Sequence, residues 1–246
     1  MTKIRLAVLA MAVLFVGAAT VSAQTTVGAN TTRACSLLPG YTMADVVETA
    51  RNFEWADDTA PGLVVINSKV AATGGLEFDF LVNFYWPSFS DMVEKQSRWI
   101  QSQGGAYPSP AFEGMATCGE NMRMSSIRRA TDPLPTGSSI APVTAMMTTN
   151  CELNGTSFDD VMAGAKTLGD NFGALALVTR RNFGGPRIPF NSTVGMRFVF
   201  PSFDDFGEGM DKINQNPVPV AQNGPGSMSC ETGSLWAAYR IHSRNN

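Results

Sequence analysis

The sequence predicts an α+β fold in which a β-α-β-β-α-β unit occurs twice in one chain. The first observation is that segment 84–91 (FYWPSFSD) returns as 198–205 (FVFPSFDD), so a strand runs into a proline and a helix start at two places. The second is that Cys35 aligns with Cys151, 116 residues further on, and a period near 110 residues is typical of a duplicated domain rather than a solenoid.

The same alignment defines the limits of the two predicted copies. It also matches Cys118 with Cys230 and Arg128 with Arg240. We expect the first copy over 31–130 and the second over 143–243. Prolines, glycine and serines between them predict a linker over 131–142.

The N-terminal segment has the pattern of a secretory signal. Lys3 and Arg5 precede the apolar run 6–16, and small residues end at Ala23. A membrane anchor would need a longer run of about 20 apolar residues. We therefore expect a signal peptide over 1–23 and a periplasmic or secreted protein with no membrane association after cleavage.

Charge and length limit the classes of partner and fold. The whole chain carries a net charge of -3, and removal of 1–23 leaves 16 basic and 21 acidic residues. No basic stripe is present, so we expect no nucleic-acid partner. The length that remains is enough for one large domain or two small ones.

Helix starts recur at matching places in the two copies. At each place a hydroxyl residue is followed three positions later by a carboxylate, the pattern that satisfies free N–H groups at a helix N-terminus. The pairs are Thr42 with Asp45, Ser88 with Asp91, Ser157 with Asp160, and Ser202 with Asp205.

Runs rich in β-branched and aromatic residues predict the strands. They cover 63–70, 76–86 and 122–129 in the first copy and 174–181, 194–200 and 234–242 in the second. The residues leading to Cys35 and Cys151 supply a first strand in each copy. The resulting order is that of the ferredoxin-like unit.

The cysteines provide an independent test of this order. Four cysteines in an exported protein allow three pairings. Strands one and four of a ferredoxin-like sheet are antiparallel neighbours, which predicts bonds from Cys35 to Cys118 and from Cys151 to Cys230. A metal site is not predicted, because short Cys-x-x-Cys spacing is absent.

These features resemble the dimeric α/β barrel superfamily, which includes antibiotic-biosynthesis-monooxygenase-like domains. The resemblance is carried by the two β-α-β-β-α-β units and by the aromatic-Pro-Ser-aromatic helix starts at Pro87 and Pro201. It implies two sheets packed face to face as an intramolecular dimeric α/β barrel.

Strand alternation predicts which side chains lie between the sheets. We expect Phe78, Phe80, Val82 and Phe84 to face the helices and the alternate residues to face inwards. The predicted ligand-binding residues on the inner face are Arg197, Arg240, Trp236, Tyr85, Asn83, Asp79, Arg128 and His242.

The proposed pocket would bind an anionic or carbonyl group through Arg197 and Arg240, with Trp236 and Tyr85 as flat walls. The alternative is that the arginines pair with Asp79 or other carboxylates, or lie at exposed strand ends.

The sequence identifies no catalytic residue and predicts no cofactor. His242 is the only histidine, and its place near the C-terminus predicts an exposed side chain rather than a general base or a haem ligand. No Ser-His-Asp set and no phosphate-binding glycine loop can be assembled.

Two classes of function follow. The first is an exported small-molecule-binding protein, including a cofactor-independent monooxygenase-like enzyme. The second is a non-catalytic structural or interaction module. Haem enzymes similar to chlorite dismutase, which also join two such units, are a third and less favoured hypothesis because they need a proximal histidine. Differences between the copies, such as Arg197 against Asn83, favour a binding site over a scaffold.

Overall fold

The computed structural model describes residues 27–72, 76–102, 112–119, 122–132, 141–183, 192–215 and 228–244. The predicted signal peptide and most of the predicted linker lie outside these ranges. The strands are β1 Val27–Leu37, β2 Leu63–Ala71, β3 Phe80–Trp86, β4 Ala116–Cys118, β5 Arg123–Arg129, β6 Val143–Glu152, β7 Leu175–Phe183, β8 Thr193–Phe200, β9 Ser229–Cys230 and β10 Ser234–Ser243. The helices are α1 Met43–Arg51, α2 Phe89–Ser102, α3 Phe158–Phe172 and α4 Phe203–Gln215.

All four helices begin where the hydroxyl-to-carboxylate spacing predicts. Thr42 and Asp45 form a capping box at α1, and Ser157 accepts the Asp160 N–H at α3. Ser88 and Ser202 accept the N–H groups of Asp91 and Asp205, each at 3.1 Å, at α2 and α4. Each hydroxyl satisfies a backbone donor that has no partner within the helix, which fixes where the helix starts.

Eight strands form one closed antiparallel barrel. Their order is β10-β2-β3-β1-β5-β7-β8-β6, and β6 pairs with β10 to close the ring. The order β2-β3-β1-β5 in the first half of the chain occurs again as β7-β8-β6-β10 in the second half. This closed α/β barrel is the architecture that the resemblance implies.

The expectation of two sheets packed face to face is wrong. Strand β5 pairs with β7, and β10 pairs with β2, so the two four-stranded groups join edge to edge. Closure removes exposed strand edges, whose N–H and C=O groups would otherwise lack partners.

The helices pack on the outside of the barrel over separate hydrophobic cores. In the second half, Val161 and Ala165 of α3 are buried against Phe198 and Phe200 of β8. In the first half, Val46 of α1 belongs to a core that includes Phe80 and Val82, as the alternation predicts. Among the described residues, no helix is long and apolar enough to cross a membrane.

Both predicted disulfides are present. Cys35 bonds to Cys118, and Cys151 bonds to Cys230. Each bond joins the first strand of its half to a short strand, β4 or β9, that precedes the last strand. Two disulfides are compatible with an extracellular location.

Candidate functional site

A cavity of about 230 Å³ lies inside the barrel and is lined by residues from all eight strands. This volume is below the roughly 300–1,000 Å³ typical of sites for drug-sized ligands. The cavity can therefore hold only a small molecule.

The deep end of the cavity is organised by Arg197 on β8. Its Nη1 donates to the hydroxyl of Tyr85 at 2.8 Å, and its Nη2 donates to Oδ1 of Asn30 at 3.0 Å. Both acceptors are neutral, so within the described part of the chain Arg197 does not pair with Asp79 as the structural alternative requires. The guanidinium is held in place by hydrogen bonds and keeps its charge uncompensated.

A buried amide and hydroxyl network extends from Arg197 along the first half of the barrel. Asn30 and Asn83 are both 0% exposed. The hydroxyl of Thr32 lies 2.8 Å from Asn83 Oδ1 and 3.1 Å from Asn30 Oδ1. Nδ2 of Asn30 donates to the carbonyl of Phe84 at 3.2 Å. Such a network orients its members because each contact restricts the next.

Asn67 on β2 leaves both polar atoms of its side chain unsatisfied. It is 1% exposed and lines the cavity, yet neither atom of its amide has a hydrogen-bond partner among the described residues. Nδ2 of Asn83 is likewise without a partner. Because buried polar groups are almost always hydrogen-bonded, these amides face a place where a polar group can bind.

The second half of the chain supplies an aromatic wall to the cavity, at Trp236 on β10. Its ring is parallel to that of Phe78, with a 4° interplanar angle and centroids 6.2 Å apart. Its Nε1 donates to the hydroxyl of Thr148 at 2.8 Å, which fixes the indole orientation. Phe78 was expected to face the helices. It lines the cavity because β3 begins only at Phe80, so strand alternation does not extend to it.

The rim of the cavity carries charged residues at its exposed end. Arg123 on β5 and Arg181 on β7 both line it, and so does Glu231. Nδ2 of Asn150 donates to Oε2 of Glu231 at 3.1 Å. Burial lowers the pKa of Arg181 below its ordinary value, and the positive charge of Arg123 adds to the effect.

The structure places Asp79 and Arg128 outside the cavity, contrary to expectation. Asp79 is exposed and accepts the N–H of Leu37 at 2.8 Å. Arg128 stacks over Phe158 of α3 at 5.1 Å on the helix side of the barrel. The alignment of Arg128 with Arg240 shifts β5 by one residue, and a one-residue shift moves every side chain to the other face.

Arg240 and His242 also lie outside the cavity. Arg240 is exposed, and a register irregularity separates it from His242. The ring of His242 packs on Trp55 with centroids 5.2 Å apart. Burial lowers the pKa of His242, as does Arg244, while a hydrogen bond to the Pro61 carbonyl and the charge of Asp57 oppose them.

Of the eight predicted residues, three line the cavity: Arg197, Trp236 and Asn83. Tyr85 is hydrogen-bonded to Arg197. Sequence reasoning missed Asn67, Arg123 and Arg181. For Asn67 a signal exists, since it follows the apolar run Val64–Ile66 in a predicted strand. The two arginines lie at strand ends, where a charge is ordinarily solvated and gives no signal.

The fold was compared with known proteins. No protein-family model matches the sequence, and no curated protein matches it. Solved structures with a similar fold include an anthrone oxidase-like protein with 10% identity and a TM-score of 0.49, covering 89% of this chain and 94% of that one. A DyP-type peroxidase from Mycobacterium smegmatis has 10% identity and a TM-score of 0.45, covering 87% and 93%.

A variant of the chlorite dismutase from Candidatus Nitrospira defluvii also has 10% identity and a TM-score of 0.45, covering 89% of this chain and 93% of that one. At TM-scores below 0.5, an activity for this chain has to be argued from its own residues.

Proposed function

We propose that the chain is an exported protein that binds a small molecule inside its barrel. The observation that carries this proposal is Asn67, a buried amide that lines the cavity and has no partner for either of its polar atoms in the described part of the chain. The two disulfides support the export part of the proposal, because such bonds persist in oxidising compartments.

The ligand would present a polar group to the deep end and a flat apolar part to the wall. Asn67 and Asn83 offer amide groups, and Arg197 offers a fixed cation. Trp236 and Phe78 present aromatic surface in the same cavity. A carbonyl or hydroxyl compound with one or two rings fits this combination of size and chemistry.

A purely structural role explains the cavity less well. A scaffold is most stable when its interior is filled by apolar side chains, because an unpaired buried amide costs free energy. Here the interior keeps Asn67 and Asn83 beside open space. The binding hypothesis accounts for that cost, and the scaffold hypothesis does not.

A cofactor-independent monooxygenase-like enzyme would use the same cavity. Such a reaction needs a group that removes a proton from the substrate. Among the described residues that line the cavity, Glu231 is the only carboxylate, and it lies at the rim rather than beside Arg197. The geometry therefore supports binding better than catalysis.

The described residues do not fit the haem hypothesis. It depends on His242, which is not among the residues that line the barrel cavity and whose ring packs against Trp55. No group of three or more potential metal ligands occurs among the described residues. No step of the proposal uses an iron cofactor.

We further propose that the chain consists of two ferredoxin-like copies, 31–130 and 143–243, joined by the linker 131–142 after a signal peptide over 1–23. Three features support duplication. The order of strand pairing is the same in both halves, the helices start with equivalent caps, and each half has one disulfide at an equivalent place.

The test is native mass spectrometry of protein exported by its host, recorded before and after denaturation. We expect a mass surplus that disappears on unfolding. Ser125→Phe places a ring in the cavity and should remove the surplus, whereas the control Ser97→Phe on the exposed surface of α2 should retain it. A wild-type protein without any surplus, or a Ser125→Phe protein with an unchanged one, contradicts the proposal.

A further inference from the structure

Two arginines at the rim of the cavity have no function in the hydrogen-bond network of the barrel. Arg123 lies two residues before Ser125 on β5, and Ser125 pairs with Arg181 on β7. A register irregularity falls between Met124 and Ser125, so the regular diagonal spacing does not apply there, but Arg123 is close enough to Arg181 for its positive charge to lower the pKa of Arg181. Both line the cavity.

The two guanidinium groups repel each other unless an anion lies between them. Neither has a carboxylate partner among the described residues, and Nη1 of Arg181 is buried without a hydrogen-bond partner. The pKa of Arg181 is lowered because burial and the charge of Arg123 both disfavour its protonated form. The one acidic residue that lines the cavity, Glu231, is hydrogen-bonded to Asn150 instead.

Arg197 is a poorer place for an anion than this pair. Its Nη1 and Nη2 already donate to Tyr85 and Asn30. A ligand anion there would have to compete with two hydrogen bonds that hold the floor of the cavity. At Arg181, by contrast, the buried Nη1 has no hydrogen-bond partner among the described residues.

We infer that the ligand is a planar organic anion whose charged group binds between Arg123 and Arg181 while its rings lie against Trp236. This inference rests on the proposed function, because it uses the same cavity. Bidentate contacts from guanidinium groups to a carboxylate or similar anion are short and strong, so they select for charge as well as position.

The test compares two probes of nearly equal shape, 2-naphthoate and 2-naphthol, by isothermal titration calorimetry on the purified, oxidised protein. We expect 2-naphthoate to bind more tightly. The variant R123Q/R181Q should lose about tenfold to a hundredfold in affinity for 2-naphthoate, the range for charge-assisted hydrogen bonds. Its affinity for 2-naphthol should change by less than about threefold.

Arg180→Gln is the matched control. It removes one positive charge from the position next to Arg181 on β7, where the side chain stacks on Phe158 on the helix side. Both probes should bind this variant as they bind the wild type. Binding of 2-naphthol to R123Q/R181Q also shows that the variant is folded with an intact cavity.

Two results overturn the inference in different ways. If 2-naphthol binds the wild type but R123Q/R181Q keeps full affinity for 2-naphthoate, the anion site is wrong and the proposed function stands. If neither probe binds and native mass spectrometry shows no mass surplus, the proposed function fails together with the inference.

Discussion

The two halves of the barrel share a backbone plan but differ in what they place inside it. In the first half, Thr32 on β1 pairs with Asn83 on β3. In the second half, the corresponding pair is Thr148 on β6 with Arg197 on β8. The threonine is common to both, and the residue opposite it is a neutral amide in one half and a cation in the other.

The next row inside the barrel differs more. In the first half, Ser125, Asn30 and Tyr85 lie side by side on β5, β1 and β3. The corresponding residues of the second half, on β10, β6 and β8, are Trp236, Met146 and Val199. One half thus supplies hydroxyl and amide groups, and the other supplies an aromatic and aliphatic wall.

This difference makes the described interior of the barrel asymmetric. Arg197 of the second half is held by Tyr85 and Asn30 of the first. The reverse arrangement is impossible, because Val199 and Met146 stand in the places where its acceptors would be. The halves therefore complement each other across the interior.

The largest change in the free energy of unfolding is expected from placing a cation in the first half, at the position that corresponds to Arg197. Asn83→Arg places a guanidinium opposite Thr32, as Arg197 lies opposite Thr148, at a position that is 0% exposed and where Val199 and Met146 offer no acceptor. An uncompensated buried charge should lower the free energy of unfolding by about 3–5 kcal/mol. Urea denaturation measures this loss in the free energy of unfolding.

Asn83→Leu is the control, and it should cost less because it brings no charge into the interior. If Asn83→Arg is as stable as the wild type, the two halves are more alike than the contacts indicate.

The two disulfides provide a further comparison of the halves, because they should contribute equally to the free energy of unfolding. They close loops with sequence separations of 83 and 79 residues. Replacing either pair, as C35A/C118A or C151A/C230A, should cost about 2–5 kcal/mol, since loop-closure entropy changes slowly with length. Thermal and urea unfolding of the two variants measure this. A large difference between them would show that one half dominates stability.

The contact between the halves can be measured by a double-mutant cycle. Arg197→Met should lower the free energy of unfolding by about 2–3 kcal/mol through lost charge-assisted hydrogen bonds. Tyr85→Phe removes one acceptor only. Because the two residues contact each other at 2.8 Å, their coupling energy should reach about 0.5–3 kcal/mol. Additive effects would mean that Arg197 is held by other groups.

The smallest effect should come from His242, which belongs to the second half and packs on Trp55 of the first. Its pKa is lowered mainly by burial, so the unfolded chain binds the proton more readily than the folded protein. Its contribution to stability is complete above the unfolded pKa of about 6.5 and is lost as the pH falls through the lower folded value.

His242→Gln should remove this slope from the free energy of unfolding measured between neutral and mildly acidic pH. Asn52→Gln, at the exposed C-cap of α1, is a control that should keep the slope. An unchanged slope in His242→Gln would assign the pH dependence to other groups.

Several features of the fold could be predicted because they depend on local chemistry. A hydroxyl that accepts the N–H of a carboxylate residue three positions later fixes a helix start wherever it occurs, as Ser88 and Ser202 show. The cysteine pairing followed from the order of strands, which places Cys35 beside Cys118.

The site was harder to predict because it depends on strand ends and register. Alternation failed at Phe78 and Asp79 because the strand predicted over 76–86 begins only at Phe80, so both residues precede it. The prediction also failed at Arg128. Matching Arg128 with Arg240 ignores a one-residue offset between the two copies, and β5 has a register irregularity between Met124 and Ser125.

The sequence by itself determined the order of the elements, the helix starts and the two disulfides, since each is set by residues near in the chain or by the order of strands. Only the tertiary structure decided which side chains share the cavity. Arg123, Arg181 and Asn67 come from three strands, and barrel closure brings them to one interior. Long-range strand pairing, with its bulges, fixes the direction of each side chain, and no short segment encodes that information.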